Sequence, residues 1–218
     1  MSLQLRVYVP DHPLIKHWLT IARDKQTPGA LFKTAMVELG RWLTYEAIRH
    51  WLPTVETQVE TPLTYSQAKV IDPRIRAAIV PVLRAGLALV EGAQTVIPFS
   101  NASIYHLGLV RDEETLEPSC YLNKLPDKFT PDTYILILEP MLATGGSLCK
   151  CLQEITQRGA SLEKIRVIAI LAAHPALQKL AKEYPDLHIY LAMIDPELNE
   201  HGFIVPGLGD AGDRAFGT

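Results

Sequence analysis

Two kinds of apolar spacing alternate along this 218-residue chain. Near the N-terminus, Leu14, Ile15, Trp18, Leu19 and Ala22 fall on one helical face. Leu31, Phe32, Ala35, Leu39, Trp42 and Leu43 fall on another. Each set follows a proline that suits a first helical turn, Pro13 and Pro28. The pattern predicts a helical hairpin within residues 12–50, available for subunit contacts as well as for the core. Two extended segments follow at 54–59 and 64–71. From Arg76 onward, short unbroken apolar runs alternate with helical spacing. Strands are predicted at 77–82, 103–110, 134–138, 164–172 and 187–193. Helices are predicted at 86–94, at 146–158 with Gly159 as the stop, and at 175–184. This alternation implies an α/β fold, a mostly parallel sheet with helices on both faces. With no repeat, low-complexity tract or linker-like break, residues 1–218 read as one domain.

The informative stretch is YILILEPMLATGGS, residues 134–147. A buried-strand pattern ends in a carboxylate, Glu139, and a short loop leads to Thr144-Gly145-Gly146-Ser147. Apolar residues then recur at Leu148, Cys151, Leu152 and Ile155 with helical offsets. Free N–H groups at a helix N-terminus favour anions, and glycines let a phosphate approach the backbone. The segment reads as a phosphate cradle with an acid beside it, at the edge where open parallel sheets bind ligands. No Lys follows the glycines as in a Walker loop, and no G-x-G-x-x-G dinucleotide pattern occurs.

This run resembles the phosphoribosyl-pyrophosphate (PRPP) loop of the phosphoribosyltransferases, in a Rossmann-like fold. The wording PMLATGGS is similar to the uracil phosphoribosyltransferases, of the cyanobacterial and plastid type. Pro140 stands where most such enzymes carry a second acid. Agreement extends from about residue 6 to the C-terminus through HPLIKH, LTYEA, PVLRAGL, RDEETLEP, LNKLP and NEHGFIVPGLGDAGD. The resemblance implies PRPP binding by Glu139, Pro140, Met141, Leu142, Ala143, Thr144, Gly145, Gly146 and Ser147, with Glu139 on the ribose hydroxyls. In the uracil enzymes this loop begins with Asp, whereas Glu139 stands here with one more methylene of reach.

Three further segments acquire roles in the same way. By itself, Leu83-Arg84-Ala85-Gly86 is an arginine in an ordinary strand-to-helix turn; the resemblance makes it the pyrophosphate loop. The run Arg111-Asp112-Glu113-Glu114-Thr115 reads as a charged hairpin or solvated loop. The resemblance makes about 111–126 a hood over PRPP, with Arg111 on the pyrophosphate; Lys124 is a candidate to support the same charge, or equally a surface lysine. The segment 195–218 is glycine-rich, with no periodicity but with apolar residues unlike a solvated tail. Uracil presents acceptor, donor and acceptor along one edge, which two N–H groups and one C=O can match while refusing cytosine. By resemblance, Ile204, Gly209, Asp210 and Ala211 hold uracil, and Asp210 also contacts PRPP. Arg84, Arg111 and Asp210 are the expected catalytic residues. Mg2+ would arrive on PRPP or pyrophosphate.

Composition and charge narrow the alternatives. A net charge of −3 argues against a nucleic-acid partner, and no run approaches the length of a membrane span. The N-terminus lacks signal-peptide features, and Cys120, Cys149 and Cys151 suit a reducing cytoplasmic setting. No metal-ligand spacing stands out, and His17, His50, His106, His174 and His188 read as structural. His12 and His201 sit in family motifs without a derivable role. The expected activity is conversion of uracil and PRPP to UMP and pyrophosphate by a homo-oligomer, dimer or higher, with GTP as an effector in some relatives. Two rivals stand beside it: an RNA-binding regulator on the same fold, and a phosphoribosyltransferase for a different base.

Overall fold

A computed structural model describes residues 5–97, 102–111 and 118–218. It begins with β1 (Arg6–Tyr8), α1 (Pro13–Arg23) and α2 (Gly29–Ile48). His12 caps α1: its Nδ1 accepts from the Leu14 N–H at 3.1 Å, a role for this histidine that the motif alone does not reveal. A hairpin follows, β2 (Thr54–Glu60) and β3 (Tyr65–Ile71), paired antiparallel and apart from the main sheet. Then come β4 (Arg76–Leu83), α3 (Leu87–Val96), β5 (Ser103–Ile104), β6 (Leu107–Arg111) and β7 (Pro118–Asn123). The chain continues with β8 (Thr133–Leu138), β9 (Met141–Leu142), α4 (Gly146–Thr156), β10 (Ile165–Ala173), α5 (His174–Glu183) and β11 (His188–Asp195). It closes with β12 (Glu197–Leu198), β13 (Ile204–Val205) and α6 (Ala211–Phe216).

Among the described residues, nine strands form one sheet in the order β1-β11-β10-β8-β4-β6-β7, with β5 beside β4 and β9 beside β10. All its pairings are parallel except β6 with β7. Side chains alternate between two apolar faces. Ile79, Leu136, Leu138, Ile168 and Ile170 pack with α1, α2 and α3. Ala78, Val80, Ile135, Ile137, Val167 and Ala169 pack with α4 and α5. Covering both faces explains why the strands read as continuous apolar runs.

Three features depart from the sequence expectation. The strand expected at 103–110 is broken at Tyr105 and His106, although β5 and β6 keep the same register against β4. The gap lies beside Pro81, which has no N–H to donate toward it. Second, β1 adds an outer strand of only three residues, too short to show a period. Third, the C-terminal segment is not all loop: β12 pairs with β13, and Asp210 caps α6. The hairpin reading of the segment after 111 agrees with the antiparallel pairing of β7 with β6. No helix among the described residues is long and apolar enough to cross a membrane.

Candidate active site

The strands β4, β8 and β11 point their C-terminal ends to one edge of the sheet, and the loops leaving them build the site. After β8, Glu139 anchors its N–H on the Ile168 carbonyl at 3.0 Å, and the Pro140 carbonyl accepts from the Ile170 and Leu171 N–H groups. The loop then reaches Gly145, which takes φ +80° as the residue before α4; a Cβ there would lie 3.2 Å from the Ala176 carbonyl oxygen. Only glycine meets both demands without strain. The turn aims the first N–H groups of α4 out of the sheet edge.

A cleft of about 260 Å³ lies between this loop and the C-terminal segment. Glu139, Met141 and Ala143 to Ser147 line one part of it; Gly202 to Ile204 and Gly209 to Gly212 line another, together with Ala85. The phosphate cradle and the expected base-reading segment therefore face one space. Two expected PRPP-loop members lie off that space. Leu142 is fully buried in the core beneath α4 and α5, and Pro140 is buried with its carbonyl already engaged. Phe203, Gly202, Ala85 and Gly212 line the cleft without having been expected to. Phe203 is 45% exposed, but beside Ile204, Val205 and Leu208 no signal in the sequence singles it out. A larger cavity, about 460 Å³, opens near the start of β4 around Arg76, Tyr105 and Lys128 and holds none of the expected site residues.

Glu139 is the unusual group. It is 8% exposed, and its Oε2 has no hydrogen-bond partner among the described residues. Burial raises its carboxyl pKa to about 8. Glu139 lines the cleft, and a buried carboxyl with an unsatisfied oxygen at that place is suited to accept hydroxyl donors from a ligand. Asp210, by contrast, is exposed, and its Oδ1 accepts from the Asp213 N–H at 2.9 Å. Among the described residues no group of three or more His, Cys, Asp or Glu gathers to hold a metal.

Arg84 follows a cis Leu83–Arg84 peptide, and its guanidinium does not line the cleft. Instead Nη2 donates to Asp213 Oδ1 at 2.6 Å and Nη1 to Thr218 Oγ1 at 2.9 Å. Lys124 is exposed just past β7, with its N–H donating to the His106 carbonyl. The Arg111 side chain and residues 112–117, the expected tip of the hood, lie outside the described residues. The C-terminal segment expected to read the base rests on the N-terminal helices, a role beyond the core packing and subunit contacts expected of them. Arg214 donates to the carbonyls of Ala22, Asp24 and Leu208 and covers the Phe32 ring at 4.1 Å. The cysteines are all unpaired, and burial pushes the Cys149 thiol up to about 12, which leaves it unreactive.

Comparison with known proteins agrees with this geometry. The family model described as uracil phosphoribosyltransferase matches residues 9–218. A protein of that name from Nostoc sp. is 64% identical over 218 residues, covering all of both chains. One from Synechocystis sp. is 62% identical, again covering all of both. The chloroplastic enzyme of Arabidopsis thaliana is 52% identical over 217 residues, covering all of this chain and 73% of its own. Among solved structures, the AQ2163 protein of Aquifex aeolicus superimposes with a TM-score of 0.87 at 36% identity, covering 96% of this chain and 97% of its own.

Proposed function

The chain belongs to the uracil phosphoribosyltransferase family, which joins uracil to PRPP to give UMP and pyrophosphate, and we propose how this cleft divides that work. The 5-phosphate sits on the N–H groups and hydroxyls of Ala143 to Ser147 at the start of α4. The ribose hydroxyls donate to the carboxyl of Glu139. Uracil lies against Ile204, with Gly209 to Ala211 reading its edge. The Asp210 carbonyl is already committed to the Arg214 N–H at 3.1 Å, so the Gly209 carbonyl is the acceptor for the ring N–H. Phe203 offers its exposed ring as an apolar wall.

Catalysis is then largely positioning and charge stabilisation. The bond from the anomeric carbon to pyrophosphate breaks, leaving the electron pair on the pyrophosphate oxygen and an oxocarbenium-like sugar. Uracil N1 attacks the opposite face with inversion, and its proton leaves, with Asp210 as the nearby carboxylate to receive it. Arg84 and Arg111 stabilise the leaving pyrophosphate, so Arg84 exchanges Asp213 and Thr218 for the ligand during turnover. Closure of the hood keeps water from the sugar cation. Mg2+ supplies further neutralisation of pyrophosphate charge and would be held mainly by the phosphate oxygens. That arrangement suits a cleft offering two carboxyls, Glu139 and Asp210, rather than a cage.

The observation that carries this reading is the meeting of Glu139, the α4 N-terminus and Gly209 to Ala211 around one cleft. PRPP-dependent conversion of labelled uracil, with cytosine and hypoxanthine as controls, tests it. Uracil alone should react, and Glu139→Ala or Arg84→Ala should lower kcat/KM by about a hundredfold or more. Unchanged kinetics in either variant would remove that residue from the mechanism. We also infer a homo-oligomer, supported by the exposed apolar residues of the β2–β3 hairpin, and a cytoplasmic setting, supported by three free cysteines. A GTP effector is tested by turnover with and without the nucleotide.

A further inference from the structure

We infer that the Arg23–Asp195 ion pair is a positioning device for the base, a clamp on the backbone that presents Gly209 to Ala211. The inference rests on those three residues being the base-reading segment. Asp195 ends β11 and is 3% exposed; Arg23 stands in the last turn of α1. The pair is bidentate, with Arg23 Nη2 to Asp195 Oδ1 at 2.6 Å and Nη1 to Oδ2 at 2.9 Å. Both partners also reach Gly207. The Gly207 N–H donates to Asp195 Oδ2 at 2.9 Å, and Arg23 Nη1 donates to the Gly207 carbonyl at 2.8 Å. The peptide groups on both sides of one residue are thus tied to a single buried pair.

The position of the clamp gives it its function. Gly207 has φ +63°, and a Cβ there would lie 2.1 Å from the Ile204 carbonyl oxygen, so the turn is tight and specific to glycine. One residue on, the Leu208 carbonyl accepts from Arg214 at 2.6 Å. Both Gly207 backbone groups and the Leu208 carbonyl are therefore engaged just before Gly209, and Gly209 to Ala211 follow along the cleft. Hydrogen-bond readout of a planar base tolerates little displacement, since a mispointed N–H on a desolvated edge loses the bond and keeps the desolvation cost. Lysine at position 23 keeps the charge but lacks the planar fork, so it cannot hold Asp195 twice and the carbonyl as well. Asp195 and Arg23 have no place in the cleft lining, so they act through the backbone rather than on the substrate.

The test is a KM-against-kcat split on Arg23→Lys and on the double variant Arg23→Met/Asp195→Leu. Arg23→Lys should raise the KM for uracil about tenfold or more and leave the KM for PRPP within about twofold. The double variant removes both buried charges together, which commonly preserves or restores stability. It should recover a cooperative melt near the parent Tm while its uracil KM stays high, and it carries the test should Arg23→Lys fail to fold. A parent-like uracil KM in a folded Arg23→Lys, or recovery of Tm and uracil KM together in the double variant, would overturn the clamp. Equal rises in both KM values would do the same. Ala211→Pro separates this from the reading beneath it: proline fits the first helical position of α6 but deletes an N–H. A raised uracil KM in Ala211→Pro with a silent Arg23→Lys defeats the clamp alone; no change in Ala211→Pro defeats the base-reading assignment itself.

Discussion

Glu139 titrates in a range where its state affects both stability and binding. Its folded pKa, about 8, lies above the ordinary value of 4.5 because the carboxyl is buried without a compensating partner. Below the ordinary value both folded and unfolded chains hold the proton, and the group costs nothing. As pH rises toward 8, the unfolded chain releases the proton while the fold resists ionising, so this contribution to stability is lost across that window. Ligand-free protein should therefore lose Tm between pH 5 and about 8.5, and Glu139→Gln should flatten that part of the profile. Parallel curves for parent and variant would mean that Glu139 ionises normally. The same residue explains the limit of reading single positions. Its identity and its place after an apolar run point to a sugar-binding acid, but the vacancy at Oε2 depends on neighbours far along the chain. Arg84 shows the complementary case: its motif indicates pyrophosphate, whereas its partners in the fold, Asp213 and Thr218, come from the other end of the chain.

Among the elements, α4 carries the proposed phosphate site, and its two sides answer to different constraints. On its buried side, Leu152 is fully enclosed against the sheet, and Leu152→Ala should cost about 2–5 kcal/mol of stability with little change in KM for PRPP. At its start, Gly145→Ala should cost about 1–2 kcal/mol and also raise KM for PRPP, because the left-handed φ and the Ala176 carbonyl both oppose a Cβ. Thermal melts with steady-state kinetics separate the two, and a Gly145→Ala enzyme with native KM would detach the turn from phosphate binding. The helix itself was legible from Leu148, Cys151, Leu152 and Ile155, since several turns of burial write a period into the sequence. The three-residue β1, the two-residue β12 and β13, and the six-residue α6 were not. They are too short for a period and exist because partners elsewhere hold them. The break between β5 and β6 was hidden because apolar spacing does not report that a neighbouring strand lacks a donor at Pro81.

In the assembled protein, the β2–β3 hairpin stands apart from the main sheet and carries apolar side chains outward. Leu63 is 95% exposed and Tyr65 61% exposed, the highest values among the exposed large apolar residues described. Leu63→Asp with Tyr65→Ser should shift sedimentation toward a smaller species if this arm joins subunits, and an unchanged sedimentation coefficient would exclude it. The sequence by itself determined the longer strands and helices, the two covered faces of the sheet and the glycine-rich turn after Glu139, because each depends on neighbours a few residues apart. It also carried the motifs from which base reading and pyrophosphate binding are proposed. Only the tertiary structure decided that Glu139 is buried with an unpaired oxygen and that Arg84 leans on Asp213. It alone joined Arg23, Asp195 and Gly207, contributed by α1, β11 and the C-terminal turn. Those contacts span up to 184 positions of sequence, and no local period can encode them.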